Sequence, residues 1–152
     1  MFSAEAESTL LALGQPLPEE LVPLAESVGR ILSRRIVCPE DIPGFHRSVK
    51  DGYAVRSVDT LGAGEQKPKL LKLTGRIWMG QNASGMLEEK TTKYIPTVGV
   101  MPIGADAVVM QESTELAGDI VLIKGPVSPG ADVLRADEDF AKGEVVLEAG
   151  TK

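Results

Sequence analysis

Asp41-Ile-Pro-Gly-Phe-His-Arg-Ser-Val-Lys-Asp-Gly-Tyr-Ala-Val-Arg56 holds two turn signals, a polar cluster and the start of a strand in one short run. Pro43-Gly44 sets the first bend and Asp51-Gly52 the second, after which Tyr53-Ala54-Val55 begins an apolar stretch. Between the bends lie His46, Arg47, Ser48 and Lys50, all able to donate hydrogen bonds when protonated. The run also divides the chain in character. Upstream the spacing is helical and proline-broken, whereas downstream short strand signals alternate with Gly and Pro, which number 16 and 10 in the whole chain.

Upstream, Ser3 is placed to cap a short helix with Glu5 and Glu7 in its first turn, and Leu10, Leu11 and Leu13 lead to Gly14 as a stop. Gln15-Pro-Leu-Pro18 cannot continue that helix, and Leu21-Val-Pro-Leu24 reads as an extended edge segment because Pro23 has no N–H for a central ladder. Leu24, Val28, Ile31 and Leu32 predict a second helix over Ala25–Arg35. Gly29 within it costs about 1 kcal/mol relative to alanine, which points to a close approach by another element. Downstream, strands are predicted at Gly52–Arg56, Lys69–Ile77, Thr92–Ile95, Ala107–Gln111, Ile120–Lys124 and Glu144–Glu148, with a polar loop over Leu61–Pro68. The fold class is therefore α+β: a β-rich domain of short, irregular strands over 41–139, inserted into a small α/β domain made of 1–40 plus 140–152. Both ends of the chain then fall in one piece.

A chain of 152 residues buries about two-thirds of its unfolded surface and needs no covalent staples. Its 43% hydrophobic and 25% charged residues are those of a soluble globular protein, and no apolar run is long enough to cross a bilayer. The acidic start, Met1-Phe-Ser-Ala-Glu-Ala-Glu7, lacks the basic and apolar regions of a secretory signal, so a cytoplasmic location is expected. Cys38 is the one cysteine and is expected in the core. A net charge of −6 and few aromatics argue against nucleic acid as a partner. Met79, Met86 and Met101 read as packing residues and Trp78 as a surface or interface aromatic.

Three places carry groups suited to chemistry. In the quoted run, Asp51 can orient a cation, accept a proton or meet Mg2+ beside phosphate oxygens, or it can serve only as the first residue of an Asp-Gly turn. Ser48 and Lys50 beside it are expected to bind substrate, with Arg47 and Lys50 suited to an oxyanion. In Ile95-Pro-Thr-Val-Gly-Val-Met-Pro102, Thr97 offers a hydroxyl and neighbouring N–H groups to an anion, or satisfies its own backbone. In Leu134-Arg-Ala-Asp-Glu-Asp-Phe140, clustered acids attract divalent cations or simply face water. No Walker loop, dinucleotide glycine fingerprint, nucleophile elbow or His-Glu-x-x-His helix occurs, which leaves a self-contained enzyme unsupported.

Taken in order, these segments resemble the N-terminal region of the MoeA and gephyrin family of molybdopterin molybdenumtransferases. The resemblance rests on Val22-Pro-Leu24, Gly29-Arg-Ile-Leu32, Asp41-Ile-Pro-Gly-Phe45, Asp51-Gly-Tyr-Ala-Val-Arg56 and Gly80-Gln81. It continues through Thr97 with Pro102, Gly104-Ala-Asp-Ala-Val-Val-Met-Gln-Glu112, Glu138-Asp139, and Gly143 with Ala149-Gly-Thr151. It implies a cytoplasmic homodimer, dimerising through its linker piece, that inserts molybdate into adenylated molybdopterin with release of AMP and the help of Mg2+. It also implies a composite site. The pterin lies on a separate domain, which holds most of the Mg2+ ligands, and the N-terminal region of the partner subunit contributes Asp51, Thr97 and Asp139.

The pattern departs from the family at several points. His46-Arg-Ser-Val-Lys50 stands where the family often has Asp-Asn-Ser-Ala-Met, Val98 follows Thr97 in place of glycine, Leu134 replaces an arginine, and Asp137 replaces the glycine before Glu-Asp. No stretch corresponds to the pterin-binding domain, so this chain is not expected to turn over alone. The residues leave two expectations: part of a molybdenumtransferase site, or a non-catalytic binding or scaffold module of the same fold.

Overall fold

The strand signals between residues 52 and 124 condense into one six-stranded sheet. A computed structural model describes residues 4–14, 17–81 and 85–152. Helix α1 (Ala4–Leu13) is followed by β1 (Ile36–Val37), β2 (Arg47–Ser48), β3 (Gly52–Val55), β4 (Lys69–Arg76) and β5 (Thr91–Ile95). Then come β6 (Ala107–Met110), β7 (Thr114–Ala117), β8 (Ile120–Ile123), β9 (Val133–Leu134) and β10 (Val145–Leu147). The sheet order is β6-β3-β5-β4-β8-β7, and two short ladders pair β1 with β10 and β2 with β9. Within the six-stranded sheet neighbours run antiparallel except β4 and β5, where Lys72 lies opposite Thr91 and Leu73 opposite Thr92.

Strand alternation sorts the apolar residues to two faces. Tyr53 and Val55 of β3 join Leu71, Ala107, Val109, Val121 and Ile123 on one side, whereas Ala54 joins Ile77, Ile95 and Val108 on the other. With all four residues of β3 buried, this strand is the centre of both cores. Gly52 lets it form: a Cβ there would lie 2.1 Å from the carbonyl oxygen of Val109 on β6. Buried polar groups are bonded. Thr92 Oγ1 donates to the Ala54 carbonyl at 2.8 Å, and Ser57 donates both its N–H and its hydroxyl to the Asp106 carboxylate at 2.6 and 2.7 Å. Among the described residues no buried side-chain N or O lacks a partner.

The chain divides into two units, one of residues up to Ile36 with Val145–Lys152 and the other Val37–Glu144. In the first, α1 forms as predicted, while the proposed Ser3 cap and the Gln15-Pro16 half of the Gln15–Pro18 break lie outside the described residues. The predicted helix over Ala25–Arg35 does not form; a single 3-10 turn occupies Leu24–Glu26. Gly29 takes a φ of +82°, which ends helical winding, and Leu32 instead exchanges backbone bonds with the C-terminal segment, donating to Thr151 and accepting from Gly150. No strand covers Leu21–Leu24 either, where Pro23 leads into the 3-10 turn. Exposed ion pairs join Glu20 to Arg30 and Glu19 to Arg34.

All six predicted strands form within a residue or two of their expected ends, five of them in the second unit and the sixth, Glu144–Glu148, as β10 in the first. β1, β2, β7 and β9 were not predicted, because two-residue ladders and a strand with little apolar alternation leave a weak periodic signal. Cys38 is buried, and Met101 packs partly against the second core, but Met79 and Met86 are exposed and do not pack as expected. The helix among the described residues is too short and polar to cross a membrane.

Candidate functional site

Asp51 stands at the entrance to β3, where its backbone is held by Gln111 N–H donating to its carbonyl at 3.1 Å. Its carboxylate reaches across to the turn after β5. Oδ1 accepts the Thr97 N–H at 2.7 Å and the Thr97 hydroxyl at 3.2 Å. Two residues 46 positions apart in sequence are thereby clasped through one oxygen, and among the described residues Oδ2 accepts no hydrogen bond. Asp51 and Thr97 are both exposed, so the clasp is open to a ligand.

The turn that presents Thr97 is built from steric necessity. Gly99 N–H donates to the Pro96 carbonyl at 2.9 Å, and a Cβ on Gly99 would meet Ile95 Cγ1 at 2.7 Å and Pro96 O at 2.8 Å. Val98 occupies the left-handed region at φ +67°, an outlier for a β-branched residue and a store of local strain. Tertiary bonds hold it there: Val98 N–H donates to Ser48 O at 2.8 Å, and Ser48 N–H donates to Gly99 O at 2.9 Å. Val98, stiff because it is β-branched, adopts this conformation because both of its neighbours are fastened.

Ser48 was expected to meet substrate, but it is 1% exposed and its hydroxyl donates to the Lys50 carbonyl at 2.5 Å while accepting Lys50 N–H at 3.2 Å. Burial gives it a structural part: it shapes the bend that aims Asp51. Lys50 is exposed, and no ion pair among the described residues engages it. Arg47 lies on β2, opposite Leu134 of β9 and bridging Val100 just past the Thr97 turn.

Asp139 lies on a neighbouring segment rather than in the clasp. Its N–H donates to Ile42 O at 2.9 Å, next to Phe140 N–H on the same carbonyl at 3.1 Å, and it makes no direct bond to Asp51 or Thr97. One network nevertheless joins the three places: the Asp41–Lys50 loop bonds to the Thr97 turn along one edge and to residues 132–142 along the other. Asp137, where glycine would be easiest, has φ +71°. Asp41, quoted only as part of a motif, accepts Lys142 N–H at 2.8 Å, and its position in an Ile-Pro turn gave no hint of that role. Nor did the sequence single out His46 beyond its donor capacity, although its Nδ1 accepts Ala136 N–H at 2.9 Å. Among the described residues no group of three His, Cys, Asp or Glu side chains is gathered to hold a metal ion.

The chain matches the family model of the MoeA N-terminal region, domains I and II, over residues 2–152. It is 38% identical over 129 residues to molybdopterin molybdenumtransferase 2 of Mycobacterium tuberculosis, covering 85% of this chain and 32% of that protein. It is 34% identical over 146 residues to a molybdopterin molybdenumtransferase of Staphylococcus aureus, covering 96% of this chain and 35% of that one. The chain thus spans about a third of the length of these curated relatives. Among solved structures, the molybdopterin biosynthesis MoeA protein of Pyrococcus horikoshii OT3 superposes with a TM-score of 0.78 at 40% identity, over 86% of this chain and 34% of that one. A family model matched nearly end to end, on a fold shared at this level of identity, means that the chain belongs to the MoeA family and spans its N-terminal region.

Proposed function

We propose that this chain acts in molybdenum cofactor biosynthesis as the N-terminal region of a molybdopterin molybdenumtransferase, the name its curated relatives carry. The reaction is insertion of molybdate into adenylated molybdopterin. Asp51, Thr97 and Asp139 contribute to a site completed by a domain outside these 152 residues. The observation that carries this reading is the clasp in which Thr97 donates twice to Asp51 Oδ1 and leaves Oδ2 available.

That arrangement fixes a carboxylate without consuming it. The Thr97 N–H and hydroxyl orient the group, so Oδ2 faces substrate or a water with little rotational freedom left to lose. One spare carboxylate oxygen suits Mg2+, which usually takes one or two carboxylates together with substrate phosphates. When bound, Mg2+ supplies charge neutralisation at the adenylate phosphate. Lys50 offers a cation to a passing oxyanion, and Ser48 acts from behind by holding the bend. The first unit serves as the linker and dimerisation piece of a cytoplasmic homodimer, a second copy covering the exposed leucines of α1.

The test is Asp51→Asn in the intact enzyme. The amide oxygen still accepts from Thr97, so folding is retained while the charge is lost. Molybdate insertion is expected to fall about a hundredfold or more, with the thermal midpoint nearly unchanged. Full activity, or a loss explained by unfolding, would remove Asp51 from the site.

A further inference from the structure

His46 meets the segment leading to Asp139 through a bond whose direction is fixed by chemistry. A backbone amide can only donate, so His46 Nδ1 must accept the Ala136 N–H, 2.9 Å away. Only neutral imidazole with its proton on Nε2 can do this; the protonated ring carries N–H at both nitrogens and turns the contact into donor against donor. The same residue is tied to the Thr97 turn, since its carbonyl accepts Met101 N–H at 2.9 Å. His46 therefore bridges the two loops that carry the candidate site residues.

We propose that His46 is a proton-sensitive positioning residue, a clasp that holds the Arg135–Asp139 segment to the Asp41–Lys50 loop when neutral and lets it go when charged. Its effect is local, because other bonds remain. Asp137 N–H still donates to Pro43 O, Asp139 and Phe140 N–H to Ile42 O, and β9 stays paired with β2. Ala136 lies between these anchors and loses its own. The charged residues of the segments that meet at the contact are Arg135, Asp137, Glu138 and Asp139 on one and Asp41, Arg47 and Lys50 on the other; the Pro96–Met101 turn carries none. Arg135 is paired with Asp137 at 3.7 Å, and among the described residues no carboxylate forms an ion pair with the imidazole that would replace the lost bond. The direction follows from the donor count: the neutral ring closes the clasp and the protonated ring opens it.

This inference concerns the chain itself, and only its effect on turnover rests on the function proposed above. His46 is the one histidine, so its ring signals in an NMR titration are unambiguous. The neutral ring should show the Nε2–H tautomer, and the Ala136 amide should shift with the same midpoint as the ring. In His46→Asn, whose Oδ1 accepts at every pH, the Ala136 amide should stop responding over that range. In His46→Leu its exchange with solvent should be roughly two- to tenfold faster at alkaline pH, the worth of one neutral hydrogen bond. An Nδ1–H tautomer, or an Ala136 amide indifferent to the ring's charge, overturns the clasp even if the leucine variant fails to fold. In the intact enzyme, wild type should lose roughly two- to tenfold more activity than His46→Asn on the acid side. Identical pH profiles with a working NMR clasp would count against the role of this segment in turnover and leave the clasp standing.

Discussion

The two units treat apolar side chains in opposite ways. In Val37–Glu144 the strands cover one another, and Val55, Ile95, Val108 and Ile123 are fully buried on the two faces of a single sheet. In the first unit α1 buries none of its residues, and Leu11, Leu21 and Val28 are 75%, 104% and 90% exposed. The amino acids are alike; the difference is whether the same chain supplies a second surface. A periodic apolar face is only an offer of burial, and it becomes stability when something packs on it.

That contrast can be broken at its strongest point first. Gly52→Ala drives a methyl against the Val109 carbonyl, between backbones that cannot move apart without splitting β3 from β6. We expect a loss of about 3 kcal/mol or more, measured as a shift in the denaturant midpoint. A cost under about 1 kcal/mol would mean that the central strand is less tightly held than its burial implies. Relief of strain in the same unit should act in the opposite direction. Val98→Gly removes a β-branched residue from φ +67°, and after the entropy of an added glycine is subtracted it should stabilise the protein by about 1 kcal/mol, roughly 2–4 °C in thermal midpoint. The smallest effect belongs to the first unit. Leu11→Ala in a monomer should change stability by less than about 0.5 kcal/mol, because the side chain touches little. If a second copy covers α1, the same substitution should instead weaken self-association in sedimentation experiments.

The site was partly legible for the same reason. Asp51 and Thr97 could be named because a turn signal before an apolar strand and a hydroxyl between Pro96 and Gly99 are local patterns, and a family resemblance set them in order. Their contact was not legible, since it needs β3 and β5 to be neighbours with Gly52 opposite Ile95. Ser48 misled for a related reason. A serine in a polar loop looks available, but pairing of β2 with β9 and the Thr97 turn closes over it. The helix over Ala25–Arg35 failed because Leu24, Val28 and Ile31 had the spacing without the partner, and Gly29 had a left-handed alternative. His46 was read only as a donor, because an isolated histidine has no local signature of what it contacts far along the chain.

By itself the sequence determined the α+β class, the positions of the longer strands and the family, because period-two alternation, glycine and proline punctuation and an ordered set of motifs are properties of neighbouring residues. Only the tertiary structure decided that Asp51 and Thr97 share one oxygen, that Ser48 is interior and that His46 must be neutral to hold Ala136. Those outcomes depend on which strands become adjacent and in what register, and the pairing energy that selects them is spread over contacts far apart in the chain.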